Sequence, residues 1–159
     1  MGARKFKRLL GVNKGFTIMD MMVTLAIFTI VAAIAVPNYL AFQPQQRLNG
    51  GTRVVLNKLR WARAQAVERN SNYQVILLND TTLRIFNDLN GNGSPDTKED
   101  QQDINIRLDY PNVTISMSGS APTFTARGTA TSGSTTITIS NSSGSKQVEV
   151  LPSGYVRMI

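Results

Sequence analysis

A long apolar segment near the amino terminus restricts the possible architectures more than any other feature of the chain. Residues 16–46 contain no lysine or arginine, and Asp20 is their only charged residue. Within them, residues 21–36 are uninterrupted apolar sequence apart from two threonines. With its flanks, this run reaches the roughly 20 residues that a helix needs to cross a bilayer. The sequence therefore predicts a single-pass membrane helix at the amino-terminal end.

The positive charge of the chain is concentrated before this helix. The formal net charge is +7, from 17 basic and 10 acidic residues. Five of the basic residues and none of the acids lie in the first fifteen positions, so the remaining chain carries 12 basic and 10 acidic residues. Lysine and arginine before a membrane helix favour retention of that flank in the cytoplasm. We therefore predict that the amino terminus is cytoplasmic and that the rest of the chain lies across the membrane.

The composition argues against catalysis. The chain contains no histidine and no cysteine, which excludes a histidine-containing triad, a cysteine nucleophile, a zinc site built on imidazole or thiolate, and any disulfide. Paired carboxylates at an evident catalytic spacing and a glycine-rich phosphate loop are also missing from the sequence. We predict that the protein is not an enzyme and requires no cofactor.

The segment around Gly15 resembles the processing site of a type IV prepilin. Residues 14–20 read KGFTIMD, and the family pattern is glycine, phenylalanine, threonine, two aliphatic residues and an acid. Asp20 is the fifth residue after Gly15, and Pro37 is the twenty-second, where the family usually has a proline. An ordinary secretory signal would instead carry its small-residue cleavage site after the apolar run.

The resemblance implies cleavage between Gly15 and Phe16 by a prepilin peptidase, followed by N-methylation of Phe16. It also implies that Asp20, nearly always glutamate in the family, pairs with the new α-amino group of a neighbouring subunit and sets the register of a filament. A carboxylate inside an apolar helix costs roughly 2.5–3.5 kcal/mol, which itself predicts a partner; the alternative is an acid near the interface that reaches lipid headgroups. Pro37 is expected to kink the helix, because a proline removes one backbone hydrogen bond.

The helix is predicted to continue beyond the membrane. Apolar residues recur at three- and four-residue spacing, which indicates one face of an amphipathic helix: Val55, Leu59, Ala62 and Ala66. Gly50 and Gly51 form a weak point within this stretch. Trp61 and the neighbouring basic residues suggest either nucleic-acid contact or, more commonly, the packing and solvated sides of such a helix.

After Asn70 the helical spacing ends and short β-rich runs begin. Two runs flank residues 79–82 as a hairpin, and the others are interrupted by turn residues. The predicted strands are 73–78, 83–86, 104–108, 113–117, 123–126, 135–140, 148–151 and 155–158. The predicted fold class is α+β and pilin-like, with a long amino-terminal helix, transmembrane in its first half, packed on a small antiparallel β domain. The predicted regions are a basic leader that is removed (1–15), a transmembrane and filament-core helix (16–43), the amphipathic second half of the helix (44–70) and the β domain (71–159).

The carboxy-terminal two thirds narrow the resemblance. Four segments resemble the family of general secretion pathway protein H (GspH) and the fimbrial protein FimT. They are the helix end LRWARAQAVERN (residues 59–70), the strand LRIF (83–86), the loop DLNGNG (88–93) and the closing segment LPSGYVR (151–157). The resemblance implies a minor pilin or pseudopilin, incorporated at or near the tip of a type IV pilus or a type II secretion pseudopilus. Its implied partners are other pilin or pseudopilin subunits, the prepilin peptidase and an inner-membrane assembly platform. The implied location is the inner membrane, with the carboxy-terminal domain in the periplasm, and then the pilus or pseudopilus.

The alternative function is DNA binding for uptake in natural transformation. Some FimT-like proteins carry a Gly-Arg-x-Arg motif that contacts DNA near the carboxy terminus. Residues 154–157 here read GYVR, so Arg157 is the single arginine of the motif that remains. Since affinity for the phosphate backbone rises with each charge neutralised, the sequence predicts only a weak nucleic-acid footprint.

Residues 88–99, DLNGNGSPDTKE, match the calcium-loop pattern D-x-[DN]-x-[DN]-G-x₅-E. Calcium prefers six to eight oxygen ligands, and the loop offers carboxylate, amide and backbone oxygens. The candidate ligands are Asp88, Asn90, Asn92, the carbonyl of Ser94, Asp96 and Glu99. The alternative is a turn-rich connection whose acids keep it solvated. The sequence therefore supports a possible Ca²⁺ site but leaves a simple turn open.

Overall fold

In the computed structural model, which describes residues 15–159, the chain forms one helix and eight strands. The predicted leader lies outside the described residues apart from Gly15. The elements are α1 (Ile18–Glu68), β1 (Tyr73–Asn79), β2 (Thr82–Asn87), β3 (Gln101–Asn105), β4 (Thr114–Ser118), β5 (Thr123–Phe124), β6 (Thr135–Asn141), β7 (Gly144–Val150) and β8 (Val156–Met158). A long helix packed on antiparallel sheets confirms the predicted α+β class.

The contacts divide the chain between Leu40 and Ala41. The first unit contains the apolar part of α1, and the second, Ala41–Ile159, contains the rest of the helix and all strands of the described residues. The buried helical residues all belong to the second unit: Leu48, Gly51, Thr52, Val55, Leu59, Ala62 and Ala66. The four apolar positions predicted from the spacing are therefore the face that packs on the sheets.

A residue in the left-handed region ends the helix. Asn70 has φ 51°, and the amide of Ser71 donates to the carbonyl of Ala66 at 3.1 Å while that of Asn70 donates to Val67 at 3.4 Å. This is the Schellman arrangement, which satisfies carbonyls at the helix end. Asparagine is one of the few residues besides glycine that tolerates this conformation, so the chain turns here into β1.

Two four-stranded antiparallel sheets cover the helix face, in the orders β3-β2-β1-β5 and β4-β6-β7-β8. The single β domain that the sequence predicts is thus built as two separate sheets. In β6, alternate residues are buried, as expected of a sheet with one solvated face. The buried residues are Thr135, Ile137 and Ile139. The core combines these side chains with the helix face and with Val75, Phe124 and Val150.

The glycine pair in the helix is a site of close packing. A Cβ atom at Gly50 would overlap the ring of Tyr110, and one at Gly51 would lie 3.3 Å from Cγ1 of Val113. The segment before β4 therefore approaches the helix backbone closely. The pair costs helix propensity, but its lack of side chains makes room for this contact.

Two strand predictions need correction. The run 104–108 was expected to be one strand, but β3 ends at Asn105, because the carbonyl of Ile106 accepts the amide of Tyr110 at 2.9 Å and closes a turn. The run 123–126 is a strand only over Thr123–Phe124, because Thr125 and Thr129 pair across a tight turn.

Candidate functional site

Within the part of the chain that the structure describes, nothing packs on the apolar part of α1 and buries it. The helix contains an 18-residue window with a mean hydropathy of 2.3, none of which is buried. Large side chains point outward on every side of it, among them Leu25, Phe28, Ile30 and Ile34. An exposed apolar surface of this length requires either lipid or other apolar helices around it. This segment is the candidate anchor and assembly surface.

Asp20 forms a capping box with Thr17 at the start of this helix. Its Oδ2 atom accepts the backbone amide of Thr17 at 3.1 Å and the hydroxyl of Thr17 at 2.8 Å. The amide of Asp20 in turn donates to the Thr17 hydroxyl at 3.2 Å. These bonds satisfy amides that the first helical turn leaves without partners. Within residues 15–159, Oδ1 of Asp20 has no hydrogen-bond partner and is available to a cation.

The capping role of Thr17 was not predicted, although the sequence carries a signal for it. A threonine followed three residues later by an acid, just before an apolar run, is typical of a helix start. Asp20 therefore caps the helix within its own chain, in addition to the role in filament register that the family resemblance implies.

Gly15 and Phe16 precede the helix, and no packing against residues 15–159 holds them. A Cβ atom at Gly15 would have nothing within 4 Å, and Phe16 is 81% exposed. Packing within the described residues therefore sets no requirement for glycine at this position. Pro37 lies inside α1, which is continuous from Ile18 to Glu68; the kink stays a prediction.

The two acids that begin and end the 88–99 loop are buried and turned inward. Asp88 is 5% exposed and Glu99 is 8% exposed. The carboxylate of Asp88 accepts the amides of Asn92 and Gly93, both at 3.1 Å. The carboxylate of Glu99 accepts the amides of Leu89 and Asp96, both at 3.0 Å. Backbone N–H groups therefore compensate these charges in the conformation described.

The remaining candidate ligands surround Asp96. The side-chain amides of Asn90 and Asn92 donate to Oδ2 of Asp96 at 2.6 and 3.3 Å, and the amide of Ser94 donates to the Asn92 side chain at 2.7 Å. No three acidic side chains of the described residues 15–159 converge as a metal-binding group. The loop thus supplies two inward carboxylates and amide oxygens, and an ion would have to displace some of these internal hydrogen bonds.

Gln74 of β1 adjoins this loop and was not predicted. Its Oε1 atom is buried without a hydrogen-bond partner, and it would lie 3.3 Å from a Cβ atom at Gly93. A strand residue more than ten positions before the loop carries no local sequence signal for such proximity. Only the fold brings it there.

Arg157 is paired rather than free. It lies opposite Glu149 in the β7–β8 register, and its guanidinium contacts the Glu149 carboxylate at 2.7 Å. Trp61, the other nucleic-acid candidate, packs edge-on against Tyr73 at 6.3 Å between ring centroids, with Lys58 5.6 Å from its ring. These contacts correspond to the packing interpretation of the helix, and DNA binding through Arg157 stays a prediction.

Comparison with known proteins places this architecture in a family. The sequence profile of the family described as "Type II transport protein GspH" matches residues 51–154, about two thirds of the chain. No curated protein matches the chain. Among solved structures, the type IV minor pilin FimU of Pseudomonas aeruginosa is similar with a TM-score of 0.60 and 20% identity, covering 74% of this chain and 92% of that one.

The minor pseudopilin EpsH from the type 2 secretion system of Vibrio cholerae is similar with a TM-score of 0.53 and 12% identity, covering 71% of this chain and 96% of that one. At these identities the two structures support the fold alone. The family profile extends from the helix across both sheets to the closing turn before β8. The chain therefore belongs to the GspH family of type II transport proteins and has the fold of a minor pilin or pseudopilin.

Proposed function

We propose that this protein is a prepilin that is cleaved after Gly15 and then built into a membrane-anchored filament, at or near its tip, as a minor pilin or pseudopilin. The observation that carries the proposal is the fully exposed apolar part of α1 with a single charged residue, Asp20. In the membrane the same surface contacts lipid, and in a filament it contacts equivalent helices. The function is therefore one of position rather than of chemistry.

The proposed orientation follows the charge distribution. The basic leader stays in the cytoplasm and the second unit, Ala41–Ile159, lies in the periplasm. The prepilin peptidase removes the leader, the inner-membrane assembly platform extracts the helix, and other pilin or pseudopilin subunits pack around it. The machine is either a type IV pilus or a type II secretion system. Loss of surface pili, or loss of protein secretion, on deletion of the gene distinguishes the two.

Processing is tested by intact-mass spectrometry of the membrane fraction. The expected chain begins at Phe16 and carries one added methyl group. A bulky substitution of Gly15 should block cleavage without changing the fold, because its Cβ position is open. Recovery of a chain cut elsewhere in the apolar run, or of the uncut chain alone, would contradict the proposal.

Cleavage creates the cation that Asp20 is proposed to bind. The α-amino group of Phe16 has an ordinary pKa of about 7.7–8.0 and carries a positive charge near neutral pH. Because Oδ2 of Asp20 is engaged with Thr17 in its own chain, we propose that Oδ1 accepts the amine of a neighbouring subunit. The capping and pairing roles thus use different oxygens of one carboxylate.

Two substitutions separate these roles. Asp20→Asn retains an oxygen that caps the helix but removes the charge, whereas Thr17→Val removes the cap and retains the charge. If Asp20 sets the register, Asp20→Asn should be processed normally and be depleted from sheared filaments at least about tenfold, since stranding a buried charge costs several kcal/mol. Thr17→Val should be incorporated nearly normally. Equal incorporation of Asp20→Asn and wild type would refute the pairing.

We also propose that the 88–99 loop binds Ca²⁺. The fixed spacing and the two buried, inward carboxylates of Asp88 and Glu99 support it; the ion would replace backbone amides as their counter-charge. At about 10 mM Ca²⁺ and a Kd of about 0.1 mM, which is typical of extracellular calcium modules, linkage adds about 2.7 kcal/mol to the free energy of unfolding.

The measurement is thermal unfolding of the full chain in neutral detergent, with Ca²⁺, with Mg²⁺ and with a chelator. We expect an increase in Tm that is specific to Ca²⁺. Glu99→Gln should abolish this increase, whereas Asp80→Asn should retain it, because Asp80 is an exposed acid outside the loop. Identical melting curves with Ca²⁺ and chelator would leave the loop as a turn stabilised by its own hydrogen bonds.

A further inference from the structure

A cavity of about 530 Å³ in the second unit is surrounded by arginines that come from distant parts of the sequence. Arg60 and Arg63 belong to α1, and Arg127 lies on the turn after β5. The volume lies within the range of about 300–1,000 Å³ that is typical of small-ligand sites. The cavity belongs to neither the apolar helix surface nor the 88–99 loop.

The three guanidinium groups form no ion pair with a carboxylate of the described residues. The ion pairs found among residues 15–159 use Arg69, Arg84 and Arg157, and none involves an arginine of the cavity. Glu68, the one acid that lines it, accepts a hydrogen bond from Gln65 at 2.8 Å. Three guanidinium groups and one carboxylate leave the lining with a net charge of +2 (3 − 1), so the cavity favours the binding of an anion.

Backbone contacts hold two of these arginines in place. Nε of Arg63 donates to the carbonyl of Gly128 at 2.8 Å, and Arg60 donates to the carbonyl of Val156 at 3.3 Å. Both residues retain further N–H donors, because a guanidinium carries five. Arg127 is exposed. The donors are therefore partly preorganised, which lowers the entropy cost of binding.

The rest of the lining is apolar or aromatic. Ala64, Val67 and Val156 also line the cavity, together with Tyr155, which is 54% exposed. A nucleic-acid site would need cations that continue along a groove and follow the phosphate backbone over several nucleotides. A recess that combines three cations with aliphatic side chains and an acid is better matched by a short peptide in which carboxylates alternate with apolar side chains.

We propose that this arginine pocket (Arg60, Arg63, Arg127 and the apolar residues of the lining) binds an acidic peptide segment of a partner protein. Carboxylates of the segment pair with the guanidinium groups, for which bidentate geometry is available, and an adjacent aliphatic side chain contacts Val67 and Val156. The inference depends only on the fold of the second unit and stands apart from leader cleavage and filament register.

The test uses the full chain in neutral detergent and fluorescence anisotropy. The probe is a labelled hexapeptide of alternating leucine and aspartate, with the matching leucine–asparagine peptide as the isosteric control. We expect the aspartate peptide to bind at least tenfold more tightly than the asparagine peptide. Binding should weaken at least tenfold in Arg60→Gln and in Arg127→Gln, and less than twofold in Arg53→Gln, an exposed arginine of the same helix outside the pocket.

Near-ultraviolet circular dichroism confirms that each variant retains the wild-type fold before its binding is compared. Equal affinity for the two peptides, or loss of binding in Arg53→Gln as large as in the pocket variants, would overturn the proposal. Two competitors complete the test. Displacement of the peptide by inorganic phosphate at similar concentration would reduce the pocket to a general anion site. Tighter binding of a short DNA duplex that the same pocket variants abolish would make it a nucleic-acid site instead.

Discussion

Replacing Gly154 by alanine should destabilise the protein through one contact near the closing strand. Gly154 has φ +77°, in the region that side-chain-bearing residues rarely adopt, and a Cβ atom there would overlap the carbonyl oxygen of Gly128. The overlap involves backbone, so it cannot be relieved by a change of rotamer. The closing turn would have to move away from the segment that follows β5.

The structure indicates what that movement would break. The amide of Gly154 donates to Leu151 at 2.8 Å, the amide of Ala130 donates to Pro152 at 2.9 Å, and Arg63 donates to Gly128 at 2.8 Å. Losing two or three such hydrogen bonds costs about 2–3 kcal/mol at roughly 1 kcal/mol each. The left-handed conformation adds about 1–2 kcal/mol for a residue with a Cβ atom.

Gly133 provides a matched control, because it has φ +74° and open space around its Cβ position. Gly133→Ala therefore carries the conformational cost alone, together with the same gain from a less flexible unfolded chain. The difference between the two variants isolates the contact with Gly128. We expect Gly154→Ala to lose about 2–3 kcal/mol more of the free energy of unfolding than Gly133→Ala.

The assay is urea unfolding of the full chain in neutral detergent, followed by the fluorescence of Trp61. This is the only tryptophan of the chain, and it packs against Tyr73 of β1, so its emission reports the packing of the helix on the sheet. Equal losses in the two variants would refute the argument, because the overlap with Gly128 would then contribute nothing.

Three further predictions concern stability, each measured by the same unfolding assay. Asn70→Ala should lose about 1 kcal/mol and Asn70→Gly should lose nothing or gain, because the helix cap requires φ above zero; equal effects would contradict the cap. Gly50→Ala should destabilise the protein despite a gain in helix propensity of about 1 kcal/mol, because its Cβ atom would overlap Tyr110. In a Tyr110→Ala background the same Gly50→Ala substitution should instead stabilise the protein. The hydrogen bond from Arg84 lowers the pKa of Asp103, so the stability it contributes is complete above about pH 4–5 and lost as the pH falls through that lowered pKa. Because Asp103 is exposed and Arg84 is only partly buried, Asp103→Asn should cost less than about 1 kcal/mol and remove this acid sensitivity.

Much of the architecture was predictable because its signals are local. The apolar run, the basic leader and the charge at Asp20 are properties of consecutive residues, and the capping box spans only Thr17 to Asp20. The helix face from Val55 to Ala66 follows from a spacing of three and four residues. These features depend on the chain within a turn or two of itself, so sequence alone determined the anchor, the long helix and the α+β class.

Tertiary structure decided which distant residues meet. The division of eight strands into two sheets depends on pairing partners that no strand encodes by itself. Arg127 joins Arg60 and Arg63 only because the turn after β5 lies against α1, and Glu149 neutralises Arg157 only because β7 and β8 adopt that register. Local periodicity carries information on a residue's own element, whereas the charge and packing around it are set by neighbours that folding brings from far along the chain.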